Sequence, residues 1–244
     1  MVSNLVMLTN VIVEDNKKIL LDIPKLSIPK SSFTAIIGES GGGKTLLSQT
    51  ILGILPDNLK MTGQITKNYQ KDDLIFQRIS DNLQDNWTIG KLFHHLLISY
   101  GIRSESERHQ IIETTLSLVN FANLEVLSQK SYQLSGGMAQ KIAIALSLLS
   151  QPDFLVADEP TSALDSTSST MIMELLQQLN QESGQTILLI SHDLNLIKNY
   201  VSHIGIIKSG HLIEFGTKER ILNKPQETYT KELMNLFRGN YFKR

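Results

Sequence analysis

Residues 38–45 read Gly-Glu-Ser-Gly-Gly-Gly-Lys-Thr, the G-x-x-x-x-G-K-[ST] spacing of a phosphate-cradling loop. Glycines let the backbone curl until successive N–H groups converge on phosphate oxygens, and a helix N-terminus adds partial positive charge. In that chemistry Gly38, Glu39, Ser40, Gly41, Gly42 and Gly43 form the cradle. Lys44 brings a mobile cation to the β- and γ-phosphates, and the Thr45 hydroxyl ligates Mg²⁺. The plainer reading is a glycine-rich turn between a strand and a helix. A second cluster follows the apolar run Phe154-Leu155-Val156-Ala157, which ends in Asp158 and Glu159. Paired carboxylates at the end of a buried strand are costly unless a cation or ligand satisfies them. Asp158 then holds Mg²⁺, directly or through water, and Glu159 orients or deprotonates the water that attacks the γ-phosphate. An acidic turn after a core strand is the alternative, and a phosphate loop in the same chain weighs against it.

These groups need elements that bring them together. The β-rich run 33–37 leads into the loop and a helix-compatible stretch, 46–52, leaves it. Residues 5–13 and 19–28 alternate apolar and polar and carry Pro24 and Pro29, which predicts an antiparallel edge sheet. Ile65 and the stretch 74–76 predict two more short strands. From about Thr88 to Ser150 the period turns helical, with Leu92, Leu96 and Leu97, then Ile111, Ile112, Leu116 and Val119. Ser135 stands where a helix N-cap belongs, ahead of helix formers over 138–149. Apolar runs at 154–157 and 186–190 flank a helix-like stretch, 171–179, closed by Gly184. The expectation is an α/β nucleotide-binding core interrupted by a helical insert. Gly38, Asp158 with Glu159, and His192 each follow the carboxyl end of a strand, where parallel α/β sheets bind ligands.

Composition sets the outer bounds. The 244 residues suit one large α/β domain or a core with a subdomain, and 41% hydrophobic residues support a sizeable core. Lys+Arg 23 against Asp+Glu 24 leaves a net charge of −1, with no basic excess to argue for nucleic acid. The absence of cysteine excludes disulfides, cysteine-ligated zinc and iron–sulfur clusters, and is compatible with a reducing cytoplasm. No signal peptide is apparent, and no uncharged apolar stretch approaches the ~20 residues that cross a bilayer. A role at a membrane then requires another subunit to hold the chain there.

The segment Leu134-Ser135-Gly136-Gly137-Met138-Ala139-Gln140 carries a family resemblance. It is similar to the LSGGQ-like signature of ABC transporter ATPase subunits, and further motifs follow in the family's order. Gln77 in Ile75-Phe76-Gln77 resembles the Q-loop glutamine, 162–165 (Ser-Ala-Leu-Asp) the D-loop, and His192 in Ile190-Ser191-His192-Asp193 the switch histidine. The resemblance runs from about Leu5 to Leu236. It implies the ABC ATPase architecture: a P-loop NTPase (RecA-like) core with an antiparallel β subdomain and a helical insert. On that pattern 1–244 is one ABC ATPase domain. Residues 1–32 are mainly antiparallel edge, 33–87 and 151–244 the nucleotide-binding core, and 88–150 the helical insert carrying the signature. The resemblance also implies ATP and Mg²⁺ as ligands, with Gln77 sensing Mg²⁺ and contacting a membrane subunit and His192 contacting the γ-phosphate. Catalysis falls to Glu159, His192, Lys44 and Gln77, and the metal to Thr45, Gln77 and Asp158. Ser135, Gly136, Gly137, Gln140 and Asp165 join the nucleotide contacts, the signature reaching the ATP of an opposite subunit.

The implied partners are two multi-span membrane permease subunits, a second ATPase subunit (self or sister chain) and, indirectly, an extracytoplasmic solute-binding protein. The implied place is the cytoplasmic face of the cell membrane. Finer similarity points to the peptide/nickel importer branch: 50–56 (Thr-Ile-Leu-Gly-Ile-Leu-Pro), the continuation from Gln77 to Gly90, and Pro225 with 229–233 (Tyr-Thr-Lys-Glu-Leu). The alternative is a soluble, non-transport ABC-type ATPase. Three departures stand out. Ala139 occupies a position where the family usually has a basic residue, with Lys141 nearby. His-Pro is missing before Tyr229. No aromatic residue precedes Phe33, so the adenine-stacking place near Asp15 has no ring, and base stacking is expected to be weak or supplied by aliphatic groups such as Val13. His94, His95 and His109 read as solvated helix positions rather than a nickel site.

Overall fold

In the computed structural model, which describes residues 3–75, 87–121 and 124–238, the first alternating segment forms two antiparallel strands, β1 (Asn4–Asp15) and β2 (Lys18–Pro29). Asn16 and Lys17 make the turn with φ of 47° and 72°, the left-handed backbone that suits a tight hairpin to strand twist. Strand β3 (Phe33–Ile37) runs into the phosphate loop and then α1 (Lys44–Leu52), which stops at a left-handed Gly53. The two short strands expected next are β4 (Lys60–Lys67) and β5 (Asp72–Ile75). Phe76 and Gln77 lie outside the described residues.

The insert contains α2 (Ile89–Ser99), α3 (Glu105–Leu118) and two 3-10 turns, Leu124–Ser128 and Ser131–Gln133, before α4 (Gly136–Leu148). Thr88, Ser104 and Ser135 cap the three helices with side-chain oxygens, which satisfies amides the helix leaves unpaired. The chain continues through β6 (Phe154–Asp158), α5 (Ser166–Ser183) and β7 (Thr186–Ser191). A left-handed Gly184 ends α5 as expected. After α6 (Leu194–Ile197) come β8 (His203–Lys208), β9 (His211–Thr217), α7 (Lys218–Asn223) and α8 (Thr228–Phe237).

The nine strands order as β4-β1-β2-β9-β8-β3-β7-β6-β5. From β8 through β3, β7 and β6 to β5 the neighbours are parallel, whereas β4, β1 and β2 are antiparallel and β9 turns back on β8. The antiparallel part therefore extends past residue 32, because β4 returns to pair with β1. Alternation along β3 explains the layering. Phe33, Ala35 and Ile37 face one apolar cluster with the helices of the insert and α5, while Ile36 faces a second cluster. In that second cluster Leu47 and Ile51 of α1 are wedged between β1–β2 residues such as Leu8, Val13 and Ile23 and the parallel strands. Burying an aliphatic side chain stabilises by about 1.5–3 kcal/mol, so α1 is clamped from both sides and its N-terminus is fixed.

Candidate functional site

Strand register brings the chemistry to one edge. Ile37 lies opposite Ser191 on β7, and Asp158 at the end of β6 lies opposite Ile190. The phosphate loop, the acidic pair and His192 thus leave three adjacent parallel strands at one level, as the sequence predicts.

The loop is built by close approaches. A Cβ at Gly38 would sit 2.1 Å from the Ile207 carbonyl oxygen, so only glycine fits against β8. Gly41 and Gly43 take φ of 74° and 97°, and Gly43 is the N-cap of α1. The Gly42 amide donates to the Glu39 carbonyl at 3.0 Å, and the Gly210 amide from the β8–β9 turn donates to Gly42 O at 2.9 Å. The sequence reading missed this hairpin and its brace; the turn signal Lys208-Ser209-Gly210 between apolar Ile204–Ile207 and Leu212 residues was the available clue. Lys44 is buried, and its ammonium donates to the carbonyls of Gly38 (3.0 Å) and Glu39 (2.8 Å). Burial pulls the Lys44 ammonium below its ordinary value, while Glu159 and Asp158 pull it upward.

The acidic pair divides into two environments. Asp158 is half-buried, and burial lifts its carboxyl above the usual range. The Thr45 hydroxyl hydrogen-bonded to it and the Lys44 charge oppose that lift, and Glu159 adds to it. A half-buried carboxylate joined to the loop's hydroxyl is the donor set that an oxygen-seeking divalent cation takes. The residues therefore fit Mg²⁺. Glu159 stands at φ 48°, in the left-handed region, with its amide bonded to Ile190 O at 2.9 Å. A non-glycine residue there stores about 1–2 kcal/mol. Its carboxylate Oε1 lies 3.3 Å from His192 Nδ1, with the imidazole largely exposed.

A cavity of about 460 Å³ is lined by Leu20, Ser40, Gly41, Gly43, Lys44, Thr45, Leu46 and Glu159. A second, of about 430 Å³, adjoins it at Glu159 and takes in Thr161, Ser162, Ser191 and His192. Val13 is fully buried in the core, so the aliphatic wall beside the phosphate loop is Leu20, a correction to the substitution expected from sequence. Asp15 sits at the hairpin tip beside Asn16.

The signature residues stand apart from the phosphate-loop cavity, which none of them lines among the described residues. Ser135 caps α4, accepting from the Met138 amide at 3.3 Å. Cβ atoms at Gly136 and Gly137 would come within 3.1 Å of Leu164 and 3.0 Å of Ser168, so this pair keeps α4 close to the start of α5. Gln140 is buried on α4, and its Nε2 has no hydrogen-bond partner among the described residues. Asp165 caps α5, accepting from the Thr167 and Ser168 amides at 3.0 Å and the Ser168 hydroxyl at 2.7 Å. These bonds hold its carboxyl below the usual range. Gln77 lies outside the described residues. His94 accepts from Arg108 Nε at 3.1 Å and packs edge-on to His109. Among the described residues no group of histidine and acidic side chains has metal-holding geometry.

The ABC transporter family matches residues 5–162. The dipeptide transport ATP-binding protein DppD of Bacillus subtilis is 33% identical over 84% of this chain and 67% of its own length. A nickel import system ATP-binding protein NikD of Staphylococcus aureus is 30% identical, covering 90% of each. Among solved structures, a dimeric ATP-binding cassette in a post-hydrolysis state bound to ADP and Pi superposes with a TM-score of 0.72 at 30% identity. That match covers 87% of this chain and 98% of the other. The fold is shared with cbiO1 of Clostridium perfringens, part of the cbiONQ complex (TM-score 0.77, 22% identity, 96% and 95% covered).

Proposed function

The chain belongs to the ABC transporter family as an ATP-binding, ATP-hydrolysing subunit, and we propose that it powers an importer of peptides or of nickel and related metal chelates. The single observation that carries the catalytic part is the register of three parallel strands. It sets the 38–45 loop, the Asp158–Glu159 pair and His192 at one edge. The cargo class rests on relatives named for dipeptide, nickel and metal-staphylopine import. Those names disfavour a non-transport ATPase.

ATP lies with its phosphates on the loop amides and Lys44, and its base toward Leu20. Thr45 and Asp158, with Gln77, hold Mg²⁺, which when bound neutralises phosphate charge. Lys44 exchanges its two carbonyl partners for phosphate oxygens. Glu159, fixed by its left-handed backbone, takes the proton of the attacking water, and His192 orients that carboxylate and reaches the γ-phosphate. Ser135, Gly136, Gly137, Gln140 and Asp165 serve the ATP of a second ATPase subunit, self or sister chain. Head-to-tail closure then completes each site from two chains. No described helix is long and apolar enough to cross a membrane. Two permease subunits hold the chain at the cytoplasmic face and receive the closure motion, and a solute-binding protein delivers cargo outside.

The experiment is uptake of a labelled dipeptide and of radioactive nickel in cells whose gene for this chain is deleted and then restored. Restoration of one uptake by the parent but not by Glu159→Gln supports the proposal. Wild-type uptake of both cargoes in the deletion strain refutes the cargo class.

A further inference from the structure

Glu39 is an awkward residue for its place: a carboxylate second in a loop that must hold a polyanion. Its backbone belongs to the cradle, because its carbonyl accepts from both Gly42 N and Lys44 Nζ. Its side chain leaves the other way. Oε1 accepts a 3.0 Å hydrogen bond from the Tyr229 hydroxyl on α8, 190 residues along the chain. The Tyr229 ring in turn carries the Lys208 ammonium 4.0 Å from its centroid, close enough for attraction to the ring face. Ser40 and Gly41 line the phosphate-loop cavity, and Glu39 is not among its lining residues.

We propose that Tyr229, with Lys208 over its ring, is a positioning residue that draws the Glu39 carboxylate out of the phosphate cradle, so that the seating of α8 sets the loop's affinity for ATP. Without the phenol the carboxylate is free to swing toward the phosphates, where like charges repel. The cation over the ring places positive charge on the same side and reinforces the pull. Burial, then the Glu39 bond and charge, push the Tyr229 phenol up to about 12, so it stays protonated and donating across the physiological range.

The arrangement does not hold α8 in place by itself. The Glu214 carboxylate accepts from the Gln226 amide at 3.1 Å and the Glu227 amide at 3.2 Å, at the entry to α8. Thr230 and Met234 of α8 are buried. Removing one hydroxyl therefore leaves the helix docked and isolates the effect on Glu39.

This inference rests on the reading that residues 38–45 hold ATP phosphates, and the test separates the two. ATP affinity of the full chain is measured by calorimetry for the parent, Tyr229→Phe, Glu39→Gln, the double variant and Lys44→Ala. Tyr229→Phe is expected to raise Kd about 3- to 10-fold, with kcat at saturating ATP and the thermal midpoint unchanged. In the Glu39→Gln background the same substitution is expected to change Kd less than about twofold, the signature of coupling through that charge. Added salt should narrow the Tyr229→Phe defect. Equal defects in both backgrounds, or no defect in either, overturn the proposal. Should Tyr229→Phe lower the thermal midpoint, Glu39→Gln alone decides: ATP binding more than about threefold weaker than the parent shows the carboxylate to be useful as placed and overturns it. Lys44→Ala binding ATP like the parent would instead remove the underlying site reading.

Discussion

Glu159 combines a proposed catalytic role with a backbone that ordinarily suits glycine, and the two make opposite demands on a substitution. Glu159→Gln keeps the side-chain volume, the φ of 48° and an oxygen or amide within reach of His192, 3.3 Å away. Stability should therefore stay within about 0.5 kcal/mol of the parent. Loss of a general base lowers kcat by about 10²–10⁴, or roughly 2.7–5.5 kcal/mol of transition-state stabilisation. KM for ATP should hold within about twofold, because only a transition-state contact is lost. ATP-loaded Glu159→Gln should then accumulate as a dimer on size-exclusion chromatography. Glu159→Gly removes the same base and also relieves the left-handed strain. That relief, about 1–2 kcal/mol, is offset by the half-exposed contact with His192 and by the larger unfolded-state entropy of glycine. A net gain of about 0.5–1 kcal/mol remains, a rise of about 1–4 °C in Tm for a chain of this size. The assays are steady-state phosphate release and thermal unfolding, both without and with ATP. Hydrolysis by Glu159→Gln within about tenfold of the parent refutes the base assignment. A Glu159→Gly variant less stable than the parent refutes the strain argument.

Four further outcomes are expected. Gly38→Ala drives a Cβ to 2.1 Å from the Ile207 carbonyl oxygen and should cost about 2 kcal/mol or more in urea unfolding; a neutral result means the loop and β8 can part freely. For Asp158, burial raises the folded carboxyl pKa above its unfolded value, so ionisation costs the folded state, and stability present at low pH is lost as pH rises through the folded pKa. Asp158→Asn should match the parent in strong acid and exceed it in stability above that window, while losing Mg²⁺-dependent hydrolysis; a variant no more stable at neutral pH contradicts this. Asp15→Tyr adds a ring at the hairpin tip and should tighten ATP binding by up to about 1–3 kcal/mol, the range measured for base stacking on aromatics; unchanged affinity places the adenine elsewhere. Trp87 packs edge-on to His95 at 5.0 Å between ring centroids, and Trp87→Ala should weaken assembly with the permease by about 2 kcal/mol while basal ATPase activity persists; lost folding stability with unchanged assembly makes it a packing residue instead.

Much of this site was legible because its chemistry is local in sequence. The phosphate loop, the carboxylate pair after β6 and His192 after β7 each sit at the end of an apolar run, and one rule about parallel strands brings them to a common edge. The caps Ser135 and Gly184 were legible for the same reason, since a helix end is written in a few adjacent residues. What stayed hidden is tertiary. The β8–β9 hairpin was overlooked because its alternation is broken by a register shift between Ile206 and Ile207. Yet its Gly210 holds the phosphate loop through Gly42. Val13 and Leu20 belong to facing strands, the first fully buried and the second partly so, and only the register of β1 against β2 decides which one lines the phosphate-loop cavity. The left-handed Glu159 cannot be read from composition, because glutamate has no preference for that conformation; the surrounding parallel strands impose it, through the bond of its amide to Ile190. The same logic covers Glu39, whose neighbours in sequence say phosphate and whose side chain answers to Tyr229 on the last described helix. The candidate catalytic groups are thus legible from local motifs, and the contacts that hold them in place came only with the folded chain.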